Sequence, residues 1–494
     1  MFKPWHSLLV LLLFFAGMMT LLFFLSVAEL KISNELSFRL PDWNSVFSDP
    51  SPKTDITAIL NAADEAERVA ETKVPEESAG INDSAKSEQA LARPRTAIKR
   101  DSAVRLITSV QVTSRKALSA FFTALQELEL NPEKKVRVLH YGDSQIEGDR
   151  ITDQLRARMQ AQFGGSGPGL ISFMPVAASL INKVIPSPGW ERYTAGTSKD
   201  KRVQHKNYGP MIGFARFLPY RKLYDTTKAQ TANVIVNTTR GGGTDVMNYQ
   251  QIKLFYGGAT RKTWCEFYEG PALMSADSLT AGGTFNVKEF KAGLGSFNHK
   301  FKFRGKDSPD FYGLSLETNQ GIIIDNIALR GSSGTFFHQL NPAQLQQFYT
   351  YLNVKLIILQ FGGNALPFIT NDTLARNYVS WLRGQISLVK KMAPEASILF
   401  IGPADMSVKV GTGYQTHPFL PLLRDELKAM VLANNCAYFD MFDCMGGQNS
   451  MPAWVEEKLA APDYIHFSPQ GARKVAALLH GALINAYKDF TEQE

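Results

Sequence analysis

A serine hydroxyl becomes a nucleophile only when a base takes its proton and a third group orients that base. Two places in this 494-residue chain bring those residue types into suitable settings. Ser144 closes the tripeptide Gly142-Asp143-Ser144, directly behind a β-rich run over residues 136–141 and ahead of helical periodicity over 151–163. Strand, tight turn and helix place a serine at the carboxyl end of a strand, with its hydroxyl exposed and a helix N-terminus facing it. Near the other end of the chain, Asp463 and His466 stand three residues apart, before Ser468-Pro469 and a helix from Ala472 onward. In a turn, both side chains can face one point. His466 would be the base and Asp463 the group that orients it.

An acyl-transfer site also needs donors for the oxyanion that forms. Residues 356–361 read as a buried strand running into Gly362-Gly363-Asn364, so the Asn364 amide can be aimed from a strand end. Residues 322–329 read as another strand, entering the turn Gly331-Ser332-Ser333-Gly334, which can offer a backbone N–H to the same oxyanion. Each piece taken singly also fits a structural role: a loop carboxylate, a helix-capping histidine, a glycine in a strand-to-helix turn.

The elements that must position these residues follow from periodicity. Strands ending near Tyr141, Leu329, Phe361, Gly402 and Met441 alternate with helices over 118–130, 377–392 and 420–434. That alternation predicts a five-stranded parallel sheet covered on both faces. Too much chain for one crossover separates the first two strands. Residues 197–320 turn β-rich, with short alternating runs near 233–237, 251–256, 264–268, 284–288, 298–303 and 312–316. They predict an all-β, jelly-roll-like sandwich inserted in the sheet domain. Trp264, Tyr256 and Tyr268 within it could stack on sugar rings or fill the sandwich core.

Gly142-Asp143-Ser144, the turn from Gly331 to Gly334, Gly362-Gly363-Asn364 and Asp463-x-x-His466 stand in the order of the four signature blocks of the SGNH/GDSL hydrolases, which the chain resembles over about residues 103–487, with an interruption. The resemblance implies a three-layer α/β/α, flavodoxin-like fold. It also implies a catalytic set of Ser144, Asp463 and His466, and an oxyanion hole from Ser144, Gly334 and Asn364. Gln145 stands where the original motif has leucine. With Gly142-Asp-Ser-Gln-Ile-Glu-Gly-Asp-Arg150, this looks more like the branch containing peptidoglycan O-acetylesterases, some of which carry an inserted β-domain. No cofactor is implied.

Composition bounds the rest. Hydrophobic residues at 44% and charged residues at 20% are those of a globular protein with a proper core. Cys265, Cys436 and Cys444 support neither a disulfide framework nor a cysteine metal cage, and the histidines show no metal-site spacing. Residues 8–27 are twenty uncharged, mostly apolar residues, about 30 Å of helix at roughly 1.5 Å per residue, enough to span a bilayer. A retained transmembrane anchor is expected there, with a flexible tether over 28–102, hydrolase segments over 103–196 and 321–494, and the insertion over 197–320. The short amino-terminal flank favours a cytoplasmic N-terminus and an exported body, in the periplasm or outside the cell. From Asp49 to Glu88, ten acidic residues face four basic ones, a net of −6, which leaves +13 for the rest of a chain whose total is +7. A basic body favours an anionic partner. A cell-envelope polysaccharide fits better than nucleic acid, because no long basic run or aromatic-basic module is present. The expected function is a membrane-anchored serine esterase that removes O-acetyl groups from such a polymer, peptidoglycan first, through an acyl-enzyme. The alternatives are an O-acetyltransferase served by a membrane-bound acyltransferase partner, and a non-catalytic glycan-binding protein.

Overall fold

The computed structural model describes residues 51–71 and 109–492, apart from 197–199, 221–224, 226 and 240–245, together with a few positions before residue 39. The expected anchor over 8–27 lies largely outside the described residues, as does most of the expected tether. Among the described residues, no helix is long and apolar enough to cross a membrane.

The central sheet contains β1 (Val110–Gln111), β2 (Lys135–Gly142), β3 (Gly321–Ala328), β4 (Val354–Gln360), β5 (Ser397–Ile401) and β6 (Ala437–Phe439), in the order β3-β2-β4-β5-β6-β1. Its five long-predicted strands are parallel. The expectation of a purely parallel five-stranded sheet needs correcting. Two-residue β1 adds an antiparallel sixth strand beside β6, pairing Val110 with Phe439. It is too short to leave a periodic signal in the sequence.

Alternation along these strands builds two cores. Val136 and Val138 of β2 face one side, and Leu139 and Tyr141 face the other. Ile357 and Leu359 of β4 likewise oppose Leu356 and Ile358. One face is covered by α1 (Thr57–Glu71), α2 (Ser119–Leu130), α3 (Thr152–Phe163) and α7 (Pro469–Thr491), and the other by α4 (Pro342–Tyr351), α5 (Asp372–Met392) and α6 (Leu420–Ala433). Local chemistry fixes the helix starts. Asn371 accepts from the Leu374 N–H ahead of α5, and Ser468 accepts from Gly471 with Pro469 in the first turn of α7.

Helix α1 revises the tether. Ile56, Ile59 and Ala63 are buried, and Asp64 pairs with Lys474 of α7. The apolar residues here are few, but Ile56, Ile59 and Ala63 fall on one helical face, which is enough to dock on α7.

The β-rich insertion is two antiparallel sheets around a shared core of Phe173, Trp190, Phe217, Phe267, Phe301, Phe303 and Phe311. It starts earlier than the pattern over 197–320 predicts. Strands Gly169–Ile171, Asn182–Pro186 and Glu191–Thr194 already belong to its sheets. At three to five residues each, they are too short to leave a strong periodic signal. The insertion leaves and rejoins the hydrolase at one point: the Ile322 N–H donates to the Gly164 carbonyl at 3.0 Å, and a Cβ on Gly321 would lie 2.1 Å from the Gly165 nitrogen. Arg137 of β2 ties the two parts together. It holds Asp325 of β3 through two 2.7 Å contacts and also pairs with Glu317 of the insertion, to which Lys253 adds a 3.0 Å contact. Of the aromatics, Tyr256 is buried in the sandwich, whereas Trp264 lies on its outer face, 38% exposed.

Candidate active site

Ser144 opens a 3₁₀ turn, Ser144–Asp149, at the carboxyl end of β2. Two residues before it the packing is tight: a Cβ on Gly142 would meet the end of the Ile146 side chain at 2.9 Å. His466 and Asp463 come from the turn preceding α7, in which Tyr464 adopts φ +58° and stacks on Tyr414 at 3.7 Å between centroids. This turn brings both side chains to one side.

The sequence-predicted residues meet. Ser144 Oγ lies 2.8 Å from His466 Nε2, and His466 Nδ1 lies 2.7 Å from Asp463 Oδ2. Asp463 Oδ1 accepts from the backbone N–H groups of Ile465 and His466, each at 3.0 Å. Partial burial would raise the Asp463 pKa, but these N–H donors and the imidazole outweigh it and hold the carboxylate below its ordinary range. A charged Asp463 favours the tautomer with the proton on Nδ1, leaving Nε2 free to take one from Ser144.

Asn364 lines the same cavity as Ser144 and His466, a space of about 170 Å³ that also touches Phe361, Pro403 and Met406. Its Nδ2 donates to Asp143 Oδ2 at 2.9 Å and to the Ser332 carbonyl at 3.2 Å. The Gly331–Gly334 turn is therefore beside Asn364. Gly334 has φ +81°, and its N–H donates to Ser332 Oγ at 3.1 Å, within its own turn. In this arrangement the Gly334 donor is engaged locally rather than held open for an oxyanion.

Three residues that sequence reasoning gave no role hold the site in shape. Gln145 clips the histidine loop: its Nε2 donates to the Ile465 carbonyl at 2.7 Å, and its Oε1 accepts from the Phe467 N–H at 3.4 Å. Arg150 donates to the backbone carbonyls of Ser144, Glu147 and Phe467. Asp143 is buried and accepts from the Gln145 N–H at 2.9 Å as well as from Asn364. Burial pushes its carboxyl up to about 6, against the pull of the Gln145 N–H, His466 and Asn364. The signal available in the sequence was the density of polar residues over 143–150, immediately after a strand with no exposed position.

A strand-end serine hydrogen-bonded to a histidine-aspartate pair ahead of the last helix, and parallel strands in the order β3-β2-β4-β5-β6, make up an α/β fold like that of the SGNH hydrolases. The particular likeness is to a solved structure described as a peptidoglycan O-acetylesterase, 19% identical, with a TM-score of 0.58 over 77% of this chain and 99% of that one. The likeness runs over nearly the whole length of that structure. An acetyl xylan esterase is 16% identical at a TM-score of 0.26, covering 33% of this chain and 81% of its own. A family two carbohydrate esterase from Clostridium thermocellum is 14% identical at a TM-score of 0.23, covering 51% and 92%. No protein-family model and no curated protein matches the sequence.

Proposed function

We propose that the chain is a membrane-anchored, extracytoplasmic serine esterase that removes O-acetyl groups from a cell-envelope polysaccharide, peptidoglycan first among them. The observation that carries this reading is the continuous relay from Ser144 Oγ through His466 to Asp463, 2.8 and 2.7 Å long, opening on a cavity of about 170 Å³. A cavity of that volume suits an acetyl group and one face of a sugar better than a long acyl chain.

In this mechanism Ser144 Oγ attacks the ester carbonyl carbon while its proton passes to His466 Nε2. Asp463 stabilises the imidazolium. The carbonyl oxygen becomes the oxyanion, met by the Ser144 N–H and by the Asn364 amide once one of its N–H groups turns from Asp143 or the Ser332 carbonyl. Gly334 joins them if its N–H turns from Ser332 Oγ. The intermediate collapses by breaking the bond to the sugar oxygen, which leaves with the proton from His466. Water then gives a proton to the same imidazole and attacks the acetyl-serine; the bond to Ser144 Oγ breaks, Oγ takes the proton back from His466, and acetate leaves. The apolar run over 8–27 would hold the enzyme at the membrane.

The deciding experiment offers the protein O-acetylated peptidoglycan and measures free acetate, with a glycan acceptor present. Acetate in excess over newly acetylated glycan is expected. Predominant acetylation of the acceptor, with little acetate, would replace the esterase by a transferase. Binding without either product would leave a glycan-binding protein.

A further inference from the structure

A second cavity, about 110 Å³, opens at the seam between the hydrolase and the insertion. One element joins it to the catalytic cavity. Ser144 and Gln145, which start the 3₁₀ turn, line the first cavity, while Glu147, Gly148 and Asp149, which end it, line the second. The carboxylates at that end carry their own counter-ions: Glu147 pairs with Arg330, and Asp149 with Arg156.

Arg192 is the exception. It comes from the insertion strand Glu191–Thr194 and lines the same cavity. Among the described residues its guanidinium has neither a hydrogen bond nor an ion pair, and burial alone acts on its pKa, lowering it. A guanidinium stays charged at any working pH and offers five donors in a planar fork. Holding one partly buried beside Leu170, Val176 and Ile327 is costly unless an acceptor completes it.

The structure assigns that acceptor to the substrate: we propose that the Arg192 cavity takes a carboxylate of the polymer, so that the protein acts on an O-acetylated acidic glycan whose carboxylated sugar lies beside the sugar bearing the ester. This rests on the esterase reading above and adds to it a substrate class. A single planar fork matches a carboxylate in two parallel hydrogen bonds. A dianionic phosphate fits less well, because one cation would face it while Glu147 and Asp149 stand in the same walls. The apolar side chains suit the C–H face of a sugar ring, and Ser179 and Asn182 offer partners to its hydroxyls.

The test compares the full chain with its Arg192→Gln and Arg192→Lys forms on two O-acetylated oligosaccharides, one containing uronic acid and one neutral. The ratio of kcat/KM on the acidic to the neutral substrate is expected to fall about 10–100-fold in Arg192→Gln, the loss of a charged hydrogen-bonded pair, with partial recovery in Arg192→Lys. Sodium glucuronate should compete in the wild-type protein, and inorganic phosphate at equal concentration should not. An unchanged ratio overturns the proposal. So does phosphate competing as well as glucuronate. Should the variants fail to fold, the glucuronate competition decides on the wild-type protein alone, and its absence overturns the proposal. Wild-type protein that hydrolyses neither acetyl ester refutes the esterase reading instead, whereas hydrolysis of both with no acidic preference removes only the carboxylate site.

Discussion

Asn364 reaches Asp143 across 2.9 Å, its amide donating to a carboxylate that burial has pushed up to about 6. The residue expected to meet the oxyanion is thus held by the residue that precedes the nucleophile. That link carries a titration. A carboxyl whose pKa rises on folding contributes stability below its unfolded value, and this contribution is lost as pH rises through the folded one. For Asp143 the window runs from the ordinary 3.8 to about 6. The stability of the wild type relative to Asp143→Asn should therefore fall between pH 4 and pH 6, by up to about 3 kcal/mol, and level off above that. Urea unfolding of both proteins at four pH values measures it. A difference that stays flat, or rises, assigns the titration elsewhere.

Catalytic substitutions should separate by role. Ser144→Ala and His466→Ala are expected to lower kcat about 10⁴–10⁶-fold. Asn364→Ala should cost less, on the order of 10²–10³. Turnover of an aryl acetate gives these values directly, and wild-type-like rates in Ser144→Ala would end the triad assignment.

Arg137 neutralises two buried carboxylates on two parts of the molecule, Asp325 and Glu317. Arg137→Met leaves Asp325 uncompensated and Glu317 with lysines alone, at an expected cost of about 3–5 kcal/mol. The denaturation midpoint reports it. A loss under about 1 kcal/mol would mean that Lys135 and Lys253 suffice.

Helix α1 predicts an effect of where the chain is cut. A protein beginning at residue 50 should melt higher than one beginning at residue 103, because α1 docks on α7 and the buried Ile56 and Ile59 contribute about 1.5–3 kcal/mol each. Equal melting temperatures would show that α1 does not hold its docked position.

The sandwich aromatics should divide cleanly. Tyr256→Ala removes a buried ring and should cost about 3–5 kcal/mol. Trp264→Ala, on the outer face, should stay within about 1 kcal/mol. If Trp264 contacts polymer, that variant loses polymer turnover while its melting temperature holds; joint loss of both would mean the ring is packed after all.

Much of this arrangement was legible in the residues, for identifiable reasons. The strands of the parallel sheet are buried on both faces, so runs such as residues 356–361 stand out as continuous apolar segments. Ser144, Asp463, His466 and Asn364 could be placed because each follows or precedes such an element. What escaped was carried by pairing rather than pattern. Strand β1 is two residues long, and the first insertion strand, Gly169–Ile171, gains its identity only from a partner more than a hundred residues away. Gln145 looked like a departure from a motif, yet its amide is the clip on both sides of His466, a contact 320 residues distant in sequence. The Arg192 cavity could not be foreseen, since its walls come from residues 147–149, 168–213 and 326–328, brought together only by the fold.

The meeting of Gly164 and Gly165 with Gly321 and Ile322 has a consequence for inheritance. An excursion of some 150 residues whose two ends touch presents the parallel sheet with the same boundary condition as a short turn. The entropy of closing such a loop grows only with the logarithm of its length, so enlarging or shrinking it by half changes the cost by well under about 1 kcal/mol. The sheet, and the serine at the end of β2, can therefore keep their geometry while the material between these glycines is exchanged. Glycine at this crossing permits the exchange: any side chain on Gly321 would drive the two passing strands apart, and each new insert would then have to repair the junction before it could serve the site.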